Sequence, residues 1–79
     1  MSTVNKLAAE LADDTMKAME ETGDDRLYVE VGDVLGASSQ TLEEAYLTEV
    51  RVRLASISAR KFLDRKRSAS IPKPPMSPE

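Results

Sequence analysis

From Gln40 to Lys66 neither glycine nor proline intervenes, and this run predicts one helix over 39–66, about 40 Å long at 1.5 Å per residue. Its apolar residues do not share a face. At about 100° per residue, Leu42, Tyr46, Val50, Leu54 and Ile57 fall on one side, while Val52, Ala55, Ala59, Phe62 and Leu63 fall on roughly the opposite side. The first set suits the helices that precede it in the chain. The second set is spaced like a short helix–helix seam whose alanines permit close approach, and its cover is open between three arrangements. Another protein or a second copy can fill it, the first helix can fold back over it, or the helix can bend near Ser56-Ile57-Ser58.

The rest of the chain is short for a helix with two faces to bury. At 79 residues there is room for one domain, expected over 1–67, and a single core of this size rarely supplies more than about 3–5 kcal/mol. The usual supports are disulfides, a bound metal or association. With no Cys and no His, the first is impossible and a zinc or haem site is disfavoured, so no cofactor is expected and association remains. The same absence removes the commonest general base and the most nucleophilic side chain, and a domain this small offers little wall for a desolvated cleft. A non-enzymatic role is therefore expected. No apolar run exceeds three residues, which fits neither a signal peptide nor a membrane span, and a cytoplasmic location is expected.

Two shorter helices precede the long one, giving an all-α reading with three helices over about 3–22, 25–35 and 39–66. In the first, Ser2 or Thr3 can accept the free N–H groups of the opening turn. Val4, Leu7, Ala8, Leu11, Thr15, Ala18 and Met19 then recur at steps of three and four, and Gly23 ends the helix as a left-handed residue. The acidic pairs Asp13-Asp14 and Asp24-Asp25 have no Asp-x-Asp-x-Asp-Gly frame to wrap calcium and read as solvated faces and caps. Between Asp25 and Leu35 the pattern is double, since Leu27, Val29 and Val31 alternate as in a strand while Leu27, Val31, Val34 and Leu35 fit a helix. Helix is the better fit, because Asp24 or Asp25 can cap its start, Gly36 its stop, and a strand would lack a partner. For the third helix, Thr41 with Glu44 has capping-box spacing and Ser39 can cap one turn earlier.

The net charge of −3 hides an asymmetry: residues 1–50 carry twelve acidic groups against three basic, and residues 51–79 carry eight basic against two acidic. A basic end invites nucleic acid or anionic lipid, yet nucleic-acid domains usually show a basic excess overall, so a protein partner or a second copy is favoured. The expected interface is Val52, Ala55, Ala59, Phe62 and Leu63, rimmed by Arg60, Lys61, Arg65 and Lys66. Cations also gather at the end of a helix because its dipole is negative there. After Arg67 the sequence SASIPKPPMSPE, with four prolines in its last eight residues, reads as a flexible tail over 68–79; its Pro72-Lys73-Pro74-Pro75 meets the minimal PxxP spacing.

One local pattern points elsewhere. Val31 and Leu35 are apolar, Gly32 is small, Gly36 sits at a turn, and Ala37, Leu42 and Ala45 follow as inward positions. Over residues 28–47 this resembles the helix-turn-helix motif of bacterial transcription regulators. The resemblance implies that Ser38, Ser39, Gln40, Glu43 and Glu44 face the major groove, where serine and glutamine can meet phosphates or adenine.

Overall fold

The computed structural model describes residues 2–70 and is three helices, α1 (Thr3–Thr22), α2 (Leu27–Gly36) and α3 (Gln40–Ser70). All three expected helices form, and the ambiguous segment before Gly36 is helical. Each boundary has a local cause. The Ser2 hydroxyl accepts the Asn5 N–H at 3.1 Å and opens α1. Gly23 closes it at φ 75°, donating its N–H to the Met19 carbonyl at 2.8 Å.

The start of α2 lies two residues later than the expected Asp25. Asp24 takes the Arg26 N–H at 3.0 Å and shapes the turn before the helix, without capping the helix itself. At the next corner Ser39 is the cap, accepting the Leu42 N–H at 3.1 Å, which leaves the Thr41–Glu44 pair two residues too far along. The far end also moves. α3 continues to Ser70, four residues past the expected Lys66, so Ser68, Ala69 and Ser70 belong to the helix and not to the tail. Nothing in that small-residue stretch opposes helix, and the first proline comes only at Pro72. The remainder of the expected tail, 71–79, lies outside the described residues.

The core is small and sits where all three helices meet. Ala8, Ala12, Tyr46 and Val50 are fully buried, with Leu11, Tyr28, Val31, Leu35, Leu42, Ala45, Leu47 and Leu54 packed around them. Alanines on α1 let that helix approach α3 closely enough for the Tyr46 ring to fill the gap. The phenol and the buried Thr15 hydroxyl beside it are then polar groups that must be satisfied. The phenol lies 3.1 Å from the Tyr28 carbonyl of α2 and 3.2 Å from the Thr15 hydroxyl of α1. A carbonyl can only accept, so the phenol donates to Tyr28 and can accept from Thr15. One side chain thus ties the three helices together. Burial pushes the Tyr46 phenol above its ordinary value, while the Thr15 contact acts the other way.

α3 outruns the bundle that it completes. At 31 residues it is about 46 Å long, whereas α1 and α2 reach it only as far as Leu54 and Ile57. The radius of gyration, 18.0 Å, compares with roughly 11–12 Å for a compact chain of this length. The extents of 62 × 29 × 14 Å describe a body with a rod projecting from it.

Candidate interaction surface

Two surfaces carry the residues singled out by the sequence: the projecting part of α3 and the α2–α3 corner. On the first, Ala55 to Ala69 are exposed without exception. Within and just before this arm, Val52 is 60% exposed, Phe62 52% and Leu63 50%. The core-facing stripe of α3 ends at Ile57, itself 43% exposed, and the next residues on that side are Arg60, Lys61 and Asp64. The apolar stripe therefore changes sides as the helix leaves the body. Of the three arrangements open in the sequence, α1 does not fold back over Val52 and Phe62, α3 runs unbroken from Gln40 to Ser70, and among the described residues the second stripe has no cover.

The charges divide the same way. In the arm, Arg60, Lys61, Arg65, Lys66 and Arg67 stand against Asp64 alone. The Lys66 ammonium lies 5.8 Å from the Phe62 ring centroid, near the outer limit of a cation–π contact, and contributes at most about 0.5 kcal/mol at such an exposed site. Among the described residues the other arm cations form no ion pair.

Arg53 behaves differently from its neighbours in sequence. Its Nε meets Asp13 at 2.7 Å, and its Nη1 reaches both the Glu49 carboxylate at 2.7 Å and the Glu49 carbonyl at 2.9 Å. The guanidinium is the last clamp between α1 and α3 before the arm departs. The Asp13 hydrogen bond, with Glu49 second, holds the Arg53 pKa above an already high value, so the group stays charged throughout the working range. Beside this clamp two shallow, open grooves flank Met16 and Ile57, one also lined by Met19 and Leu54 and the other by Val52 and Ser56. Neither Met16 nor the Arg53 clamp stands out in the sequence. Met16 lies beside the α1 stripe and not within it, and the Asp13 partner is forty residues away.

At the corner, Gly32 is buried against α3, and a Cβ there would lie 3.4 Å from Leu47 and 3.8 Å from Tyr46. Gly36 is the last residue of α2 and does not have positive φ. A Cβ on it would come within 2.8 Å of the Glu43 carboxylate, so the small residue here makes room for a side chain and does not release the backbone. Of the five positions implied by the helix-turn-helix resemblance, Ser38, Gln40 and Glu44 are exposed. Ser39 caps α3, and Glu43 is half-buried over Gly36. Ala37, expected to face inward, is exposed, whereas Val31, Leu35, Leu42 and Ala45 do pack inward.

Among the described residues no helix is long and apolar enough to cross a membrane, and no three His, Cys, Asp or Glu side chains are grouped to hold a metal ion. No protein-family model matches the chain, and no characterised protein or solved structure shows significant similarity to it.

Proposed function

We propose that this protein is a cytoplasmic, non-enzymatic interaction module whose projecting α3 arm is the docking element. One observation carries the reading: fifteen consecutive helical residues, Ala55 to Ala69, are exposed and include Phe62 and Leu63. Isolated helices of about 12–15 residues are marginal in water, and most helical stability comes from packing an apolar face. An arm of this length needs a surface to lie on. The body behind it needs no such help to position the arm, because Tyr46 and the Arg53 clamp fix where α3 leaves.

A photoreactive residue in place of Leu63 tests this reading in the producing cell. The expected result is a covalent adduct that disappears when Phe62→Asp is introduced into the same chain, with none formed from position 10 on the outer face of α1. If position 63 yields no adduct, the arm is not a docking element.

The α2–α3 corner supports a second reading as a DNA-reading helix-turn-helix less well. Glu43 and Glu44 would approach a polyanion, and Ser39 already serves as the helix cap. On that reading the chain retards mixed-sequence DNA at low salt and loses the effect on Gln40→Ala. Absence of any shift at about 50 mM salt, where phosphate contacts are strong, counts against it.

A further inference from the structure

The arm's occupant follows from where the charges and the uncovered stripe lie on α3 as a whole. The stripe does not begin at the arm. Glu44, Thr48, Val52, Ala55, Ala59 and Phe62 follow at steps of four and three, and all are exposed, because α1 and α2 pack on the other side of the helix. Lys66 and Ala69 continue it to the end of the arm. From Glu44 to Ala69 it runs about 38 Å, with its midpoint close to Ile57.

We propose, resting on the docking reading above, that the occupant is a second copy of this chain, paired antiparallel along α3 about a two-fold axis near Ile57. In that register Val52 faces the partner's Phe62, and Ala55 faces the partner's Ala59. The two large side chains pack against each other while the two alanines let the helices approach. Charge selects the direction. The arm has five cations against one carboxylate, while residues 1–54 have twelve carboxylates against five cations. Parallel pairing sets arm beside arm and body beside body, like sign against like. Antiparallel pairing lays each basic arm along the bare flank of the partner's α3, with Lys66 facing Thr48 one turn from Glu44, and so places it nearer to the other chain's carboxylates than to its basic arm. The two-fold axis also makes the contact twice over, so that the whole stripe is used and not the arm alone, as a stable interface requires.

The chain has no cysteine, so single cysteines report the register cleanly. Sedimentation of the full chain over a concentration series is expected to pass from 8.7 kDa to twice that mass. Phe62→Asp is expected to raise the dimer dissociation constant at least about a hundredfold, the scale of a hot spot lost twice. When Ala55→Cys and Ala59→Cys proteins are mixed and oxidised, the disulfide expected is the mixed one. Each variant alone is expected to cross-link poorly, since like positions are offset by four residues, about 6 Å, beyond what a disulfide spans between neighbouring helices. A chain that stays at 8.7 kDa at every concentration overturns the second copy, as does a mass change that needs added DNA. In either case an adduct from position 63 would leave the docking reading standing. A dimer in which each variant cross-links to itself is parallel, and one in which neither pairing forms uses another surface; both outcomes overturn the proposal.

Discussion

Tyr46 and Phe62 are aromatic residues on the same helix, sixteen positions apart, in opposite circumstances. Tyr46 is fully buried, and its phenol is bonded to a carbonyl of α2 and a hydroxyl of α1. Phe62 is half-exposed, with the Lys66 ammonium nearby. Helix propensity does not separate the two halves of α3, since both carry Ala, Leu and Arg, the first half adding Glu and the second Lys. What separates them is the reach of the companions. α1 has 20 residues and α2 has 10, and together they cover one side of α3 as far as Ile57. Beyond that point α3 continues with no packing from the other described residues.

The comparison breaks most severely at Tyr46. Replacing it by alanine empties the junction of three helices and is expected to cost about 3–5 kcal/mol, comparable to the whole stability of a domain this size, so urea unfolding should show no folded baseline. Phe62→Ala, measured at a concentration where the chain is monomeric, is expected to change body stability by less than about 0.5 kcal/mol. Similar losses at the two sites would mean that the arm is part of the core. A smaller effect is expected at Gly23, whose φ of 75° makes Gly23→Ala cost about 1–2 kcal/mol in the same unfolding experiment. Gly36→Ala should be nearly neutral, because its backbone is ordinary and the Glu43 carboxylate can swing aside.

Tyr46→Phe keeps the packing and removes only the hydroxyl, for an expected loss of about 1–2 kcal/mol. The same hydroxyl gives the body an alkaline limit. Burial favours the neutral phenol, so its folded pKa lies above the ordinary value of 10.0. That stabilisation is complete below about pH 10 and is lost as the pH rises from there through the folded pKa, because the unfolded chain ionises first. Thermal unfolding from pH 9 upward should show a fall in Tm that is reduced in Tyr46→Phe. A small effect is also expected at the clamp. Asp13→Asn should cost less than about 1 kcal/mol, since the carboxylate is 69% exposed, and the loss should shrink further at high salt.

The features legible in the sequence were those with local causes. Ser2, Gly23 and the apolar periods of α1 and α3 fix the helices from residues within one or two turns. The two flanks of α3 were equally plain, because helical phase alone places Val52 and Phe62 opposite Val50 and Leu54. Less legible was anything set by distance along the chain. Tyr46 reads as one more apolar position until Thr15 and Tyr28 converge on its hydroxyl from 31 and 18 residues away. Arg53 reads as a free cation of the basic end until Asp13 reaches it. Asp24, Thr41 and Gly36 have the right residue types for caps and turns, but neighbouring groups decide which residue does the capping. The end of α3 is not legible because Ser68-Ala69-Ser70 has no strong preference and simply prolongs what precedes it.

Hydrogen exchange read by mass spectrometry, on dilute and concentrated samples of the full chain, compares the two halves of α3 most directly. Amides around Tyr46 and Val50 are expected to exchange slowly at both concentrations. Those between Arg60 and Arg67 should exchange rapidly when the chain is dilute and slow down as it associates. Arm amides as protected as those of Val50 in a dilute monomer would contradict the view that the second half of this helix is covered only by another molecule.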